Sequence, residues 1–398
     1  MIAGGSGEVP DDVQRTDARV PGSGEELDVG RLQSLFGDWQ RIATGFFALL
    51  GALAAVYVLL PRIVGLDDAL DRIDDATWPW LVAALAFNVG AFAAYVMLFR
   101  GVLVGVEDPD GRLRRRLGVR ASYQITMAGL AATRLFSAAG AGGLVLTYWA
   151  LRRAGVGRRV AAARMVAFLV VTYSVYAAAV IVCGLALHFG LVAGAAPLAG
   201  TLIPALFAIG AVAVCLLVAL IPEDIDRRLA ALASRPRTAR IARRLASVPA
   251  TVAEGVRAAI EFAREPRRGA LALGGAAGFW AANIAVLWAC FRAYGGSVEP
   301  SVLVQGFFLG MFANVVPSPA AGAGPVDAGM IAAFAMFGLP AAIVFPAVLV
   351  YRLIAFWLPV PLGLVAYLQL RRTVTVWERE DDGEYPAVSD KVTTAEAR

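Results

Sequence analysis

The sequence predicts an all-α, polytopic membrane protein with about six full transmembrane helices plus two oppositely oriented re-entrant helical hairpins in an inverted repeat. Three observations predict it. First, 59% of the 398 residues are hydrophobic, 17% are charged and the mean hydropathy is +0.67, against roughly 45–50% apolar and 25% charged in soluble domains. Second, the apolar runs Ile42–Leu60, Trp80–Phe99, Ala163–Phe189, Leu198–Ile221, Ala270–Phe291 and Ala341–Leu370 reach the ~20 residues a helix needs to cross ~30 Å of hydrocarbon. Third, two further apolar stretches are broken midway by glycine-rich segments. Buried core helices of a soluble protein would need amphipathic helices to cover them, and too few stretches are amphipathic.

Residues 1–38 are polar and rich in Gly, Asp and Pro. They lack the basic start and apolar stretch of a cleavable signal peptide and read as a disordered cytoplasmic arm. Residues 39–222 form the first membrane half. The loop after its first span carries Asp67, Asp68, Asp71, Asp74 and Asp75, whereas the next loop carries Arg112, Arg114, Arg115, Arg116 and Arg120. Basic loops stay in the cytoplasm, so the acidic loop is outside and the basic one inside. A second basic cluster, Arg152, Arg153, Arg158 and Arg159, also belongs inside. The stretch between the two clusters, broken at Ser137-Ala-Ala-Gly140-Ala-Gly142-Gly143, must therefore dip in and return as a re-entrant hairpin over 122–151.

Residues 223–269 hold Arg227, Arg228, Arg240, Arg243, Arg244, Arg257, Arg267 and Arg268 among apolar residues at helical spacing, the pattern of a cytoplasmic amphipathic linker. Residues 270–372 form the second half. Its hairpin, 302–338, is broken at Pro317-Ser-Pro319-Ala-Ala-Gly322-Ala-Gly324-Pro325 and enters from the opposite face. Arg371 and Arg372 return the chain to the cytoplasm, and 373–398 reads as a disordered cytoplasmic tail too short for a catalytic domain. Both termini are thus expected inside a multi-pass protein of the cell (inner or cytoplasmic) membrane.

The breaks resemble each other, Ala139-Gly-Ala-Gly-Gly143 against Ala321-Gly-Ala-Gly-Pro325. Each is followed by a short helix, a glycine (Gly155, Gly338) and a long span bearing an arginine (Arg164, Arg352). Irregular backbone at membrane depth survives only inside protein or beside a wet cavity, so a cavity is expected between the hairpins. Half-helices beginning after Gly143 and Gly324 would aim free N–H groups into it, favouring an anion. Arg134, Asp327 and Arg352 lie where water is scarce and each costs on the order of 2.5–3.5 kcal/mol at a helix centre, so they must pair or face the cavity. Asp327 with Arg352 is the expected pair, leaving Arg134 for an anionic ligand. The candidate headgroup site is then Arg134, Gly140, Gly142, Gly143, Gly322, Gly324, Asp327 and Arg352. The competing structural reading is a buried network that only fixes helix register. Asn88, Asn283, Gln305, Asn314 and Tyr148 are candidate cavity-lining groups, although interhelical hydrogen bonding explains each as well.

Other chemistry is sparse. Cys183, Cys215 and Cys290 fall inside apolar runs, and His188, the single histidine, ends a span without metal-ligating neighbours, so no metal and no cofactor are implied. There is no Walker A loop, H-E-x-x-H or G-x-S-x-G, and no enzyme activity is expected. The charge of +5 is almost wholly arginine, Lys391 being the one lysine, and it is spread over loops facing anionic lipid rather than nucleic acid.

At these motifs the chain resembles the flippase-like membrane domain of lysylphosphatidylglycerol synthases, a family with many stand-alone members. The family's Pro-x-Pro-Gly-Gly-x-Gly-x-x-Glu segment is matched by Pro317-Ser-Pro319, Gly322-Ala-Gly324 and Asp327, with one extra residue before the first matched glycine and an aspartate for the glutamate. Arg352 in Tyr-Arg-Leu-Ile-Ala-Phe-Trp-Leu-Pro also fits. The family's Pro-Arg-x-Gly-Glu of the first repeat is reduced here to the run Gly140–Gly143 with no acid. The resemblance spans roughly residues 40 to 372. It implies movement of an anionic phospholipid or lipid-linked headgroup between leaflets, with membrane lipids as partners; the aminoacyl-transfer domain of the synthases is absent from the sequence. Two other readings stand beside it: a secondary transporter of a small soluble anion, with Asp327 as proton carrier, and a non-transporting scaffold for cell-envelope enzymes.

Overall fold

A chain in hydrocarbon must satisfy its backbone polar groups within its own segments, which for these apolar runs means helices. The computed structural model describes residues 76–103, 106, 108, 111–135, 141–220, 236–315 and 324–381, and among them there is no strand. The expected span Ile42–Leu60, the acidic loop before Asp75, the arm 1–38 and residues 382–398 lie outside the described residues. Five stretches are long and apolar enough to cross a membrane: Trp78–Val102, Arg158–His188, Leu198–Ala219, Gly269–Ala293 and Ala341–Asp381. Their outer faces are apolar too. Ile203, Leu206, Phe207, Val214 and Leu217 on one helix are all exposed, a surface stable against lipid and not against water.

In chain order the helices are α1 (Trp78–Val102), α2 (Arg112–Arg116), α3 (Val119–Leu135), α4 (Ala141–Arg153), α5 (Arg158–His188), α6 (Leu202–Ala219), α7 (Pro236–Arg264), α8 (Pro266–Ala293), α9 (Pro300–Phe312), α10 (Pro325–Met336), α11 (Ala341–Arg352) and α12 (Pro359–Asp381). Proline opens α7 to α10 and α12, where its missing N–H would have no intrahelical acceptor anyway.

Small residues let the helices approach, since lipid offers no hydrophobic drive to pull them together. Antiparallel α1 and α8 form the most extensive pair. A Cβ on Gly101 would strike the backbone of Ala272, and one on Gly275 the backbone of Leu98. At the far end the Thr77 N–H donates to the Ala293 carbonyl at 2.9 Å. Antiparallel α3 and α12 form the second large pair, closed by Gly363 against the Met127 carbonyl and by a 2.9 Å hydrogen bond from the Thr373 hydroxyl to Gln124 Oε1. The core is aromatic, with Phe291, Phe307, Phe308, Phe334 and Tyr351 buried together around Met330 and Val344.

Two pairs of helices are short for membrane spans. α3 and α4 have 17 and 13 residues, α9 and α10 have 13 and 12, which at 1.5 Å per residue is about 18–26 Å. Each pair is zipped by glycine: Gly143 sits on Gly129 in the first, Gly310 on Met330 and Gly306 on Phe334 in the second. The outer ends of α3 and α4 lie beside the last turns of α12, where Arg116 and Arg153 reach Glu378, Glu380 and Asp381. The outer ends of α9 and α10 lie beside the end of α5 and the turn before α6: Ser301 donates to Ala193, Gln305 to Gly200, and Met336 and Phe337 pack around Gly200.

Two sequence expectations need correction. The segment 223–269 is not only a surface linker, because Ala250, Ala253, Val256, Ala259 and Phe262 of α7 form a buried stripe, with Gly255 pressed on Val166 of α5. An amphipathic face can be covered by neighbouring helices as well as by lipid headgroups. The tail expected to be disordered from residue 373 stays helical to Asp381, since arginines of α2 and α4 neutralise its acids.

Candidate functional site

The site begins with two prolines. Pro359 and Pro361 have no N–H to give to carbonyls one turn earlier, and the chain before them winds as a π turn, Leu353–Trp357, in which the Leu358 N–H donates to the Leu353 carbonyl at 2.9 Å. The next three carbonyls are taken by side chains from elsewhere. Asn88 Nδ2 of α1 donates to Ile354 O at 2.9 Å, and Arg134 of α3 donates through Nη2 to Ala355 O at 3.0 Å and through Nη1 to Phe356 O at 2.6 Å. Unmet carbonyls in hydrocarbon are costly, so the Pro-x-Pro and these two polar residues form one device.

Arg352 immediately precedes the π turn. Its Nε lies 2.5 Å from Asp327 Oδ1, and the two side chains are 5% and 8% exposed. The other carboxylate oxygen accepts the Gly324 N–H at 2.9 Å, closing the first turn of α10 on a backbone with φ of 88°, a conformation suited to glycine. The Phe356 ring joins the two arginines: the guanidinium carbon of Arg352 is 4.2 Å and that of Arg134 4.8 Å from its centroid. Two guanidinium groups thus share one aromatic ring, and Arg352 is paired with the Asp327 carboxylate. Arg352 Nη2 is buried and has no hydrogen-bond partner among the described residues. A buried donor in that condition is costly, and an incoming oxyanion would relieve it.

The expected pair of Asp327 with Arg352 forms. The expected free Arg134 does not: two of its amino groups are committed to carbonyls, for the reason the prolines supply. Free N–H groups at the start of α10 are also fewer than expected, because Asp327 caps Gly324 and residue 325 is proline. Gly143 is buried in the α3–α4 contact and acts as a spacer, while Gly142 beside it is half-buried. Gly140 and Gly322 lie outside the described residues, as do the breaks 136–140 and 316–323, so the site is defined by the groups that flank them. Among the polar candidates, Asn283 bonds within its own helix, Gln305 caps Gly200, and Asn314 is exposed. Phe356 went unnoticed in the sequence. Its signal was Pro359-Val-Pro361, a proline pair inside an otherwise continuous apolar span.

In the first half the corresponding arginine, Arg164, donates to the Val102 carbonyl at 3.1 Å and stands 5.8 Å from the Phe262 ring. It too stands over an aromatic ring, and the acids whose charge acts on it are Glu261 and Glu254 of α7. Among the described residues no cluster of histidine, cysteine and acids could hold a metal ion.

No curated protein is similar enough to match the chain. The family model described as lysylphosphatidylglycerol synthase TM region matches residues 43–363, taking in both short helix pairs, the ion pair and the π turn. The chain is therefore a multi-pass integral membrane protein belonging to the lysylphosphatidylglycerol synthase transmembrane-region family.

Proposed function

We propose that this protein moves an anionic phospholipid or lipid-linked headgroup between the two leaflets, acting as a transporter rather than an enzyme. The observation that carries the reading is the buried, net-cationic cluster of Arg134, Phe356, Arg352 and Asp327, in which Arg352 holds an unmet donor. A phosphate at this point would meet Arg352 bidentately and take over the counter-ion role of Asp327. The carboxylate keeps the arginine compensated when no anion is present, since an unpaired buried charge costs several kcal/mol.

The short pairs α3–α4 and α9–α10 are the two re-entrant hairpins of this reading, dipping from opposite faces. Their glycine zips and lengths support this, as does the placement of their outer ends beside opposite ends of α5. With the run 42–60 as a sixth span, the arginine-rich ends of α4, α5 and α12 face the cytoplasm together with both termini.

The test is reconstitution into liposomes carrying fluorescent phosphatidylglycerol or phosphatidylcholine, scoring leaflet exchange by quenching of the outer leaflet. Exchange of the anionic lipid well above that of the zwitterionic one, and loss of it in Asp327→Asn, is the expected result. Equal exchange of both lipids, or none under any ion gradient, refutes the reading. Uptake of a soluble phosphate ester without lipid movement would favour a soluble-anion transporter instead.

A further inference from the structure

On the arginine-rich face, about 40 Å along the helix from Arg352, the described residues line a half-open cavity of about 630 Å³. Its walls come from four separate parts of the chain: the α2 region, the α4–α5 turn, α7 and the end of α12. The volume lies in the ordinary range of small-ligand pockets, roughly 300–1,000 Å³. Arg112, Arg116 and Arg164 line it, together with Asp108, Glu254 and Asp381.

The bonding inside this cavity is that of an oxyanion site already filled by the protein's own carboxylate. Asp381 accepts from Arg116 Nη2 at 2.8 Å, from Arg116 Nη1 at 3.1 Å and from Arg112 Nη1 at 3.2 Å. The partners are unequal. The Arg116 side chain is 4% exposed, with its Nε buried and unbonded, whereas Asp381 is 45% exposed at the last described turn of α12. A buried guanidinium must keep an anion, but an exposed carboxylate loses little by returning to water. Glu380, exposed like Asp381, also accepts from Arg116 Nη2 at 3.2 Å; Asp108 accepts the N–H groups of Leu113 and Arg114, and Glu254 accepts from Arg159 Nε at 2.8 Å. With Asp381 and Glu380 both returned to water, the walls are net cationic.

We propose that this cavity binds a phosphate ester, with Asp381 as the internal anion that the phosphate displaces from Arg112 and Arg116. The ester is the headgroup of a membrane lipid or a soluble phosphate, and both present the tetrahedral oxygens that a fork of two arginines recognises. The site is separate from the buried pair and stands or falls independently of the proposed transport.

The test is calorimetric titration of the full-length protein in nonionic detergent with dihexanoyl phosphatidylglycerol, glycerol 3-phosphate and uncharged dihexanoylglycerol. Binding of one or both phosphates and not of dihexanoylglycerol is expected; binding of the lipid alone identifies a headgroup, and equal binding of glycerol phosphate a soluble ester. Asp381→Asn should tighten binding by about threefold, because an exposed competitor is removed. Arg112→Gln, an exposed side chain whose loss leaves the fold intact, should weaken it by about tenfold. Glu378→Gln, which pairs with Arg153 outside the cavity, should change nothing. Absence of phosphate binding, or affinity unmoved by both Asp381→Asn and Arg112→Gln, overturns the assignment.

Discussion

The two short helix pairs share their mechanics and divide the chemistry. In each, glycine lets one helix lie on the other, through Gly129 and Gly143 in the first pair and Gly306 and Gly310 in the second. In each half an arginine on a following helix stands over a phenylalanine: Arg164 over Phe262, Arg352 over Phe356. Beyond that they diverge. The first pair carries its charge before the break, as Arg134, and spends it on the carbonyls of the other half's π turn. The second carries it after the break, as Asp327, and pairs it with Arg352. The backbone plan can therefore repeat while the ion pair does not, because packing needs only small residues at the contact, whereas charge in hydrocarbon needs a specific partner.

Mutations separate the roles of the two halves. The largest effect is expected for Arg352→Gln, which strands Asp327 without its counter-ion: about 3–5 kcal/mol of stability for a broken buried pair, read as a large drop in thermal midpoint, with the double variant Arg352→Gln/Asp327→Asn recovering part of it. Next is Gly143→Leu, whose side chain would collide with Thr133 and the Gly129 backbone; the α3–α4 pair should open and yield of folded protein should collapse, whereas Gly274→Leu, facing open space, should be tolerated. Arg134→Gln leaves the carbonyls of Ala355 and Phe356 without those donors, a loss of about 2–6 kcal/mol at roughly 1–3 per unmet group, visible as accelerated amide exchange around the π turn. Asn88→Leu removes one such bond and should cost about 1 kcal/mol. Arg164→Gln should cost least, since that guanidinium is half-buried and donates to a single carbonyl of α1 among the described residues, where Arg134 donates to two carbonyls.

Much of this architecture was legible because lipid makes simple demands. Length and apolarity sufficed for α1, α5, α6 and α8, and the rule that charge in a membrane must be paired sufficed for Asp327 and Arg352. What escaped had partners that no local pattern announces. Arg134 goes to backbone carbonyls more than two hundred positions away, and carbonyls carry no residue-type signal; only the prolines betray that they are unmet. The last turns of α12 looked like a polar tail because the arginines that hold Glu378, Glu380 and Asp381 belong to α2 and α4. The stripe Ala250, Ala253, Val256, Ala259, Phe262 has the same period whether it faces headgroups or α5.

The buried ion pair belongs to the second half alone, and two arginines compared in one assay show whether exchange depends on it. Exchange of fluorescent phosphatidylglycerol between liposome leaflets would be measured for Arg352→Lys and Arg164→Lys, both keeping the positive charge and both first shown to fold by thermal unfolding. The account predicts a fall of at least about tenfold for Arg352→Lys, where the planar fork matters, and near wild-type exchange for Arg164→Lys. Equal losses in the two variants, or a greater loss at Arg164, would contradict it.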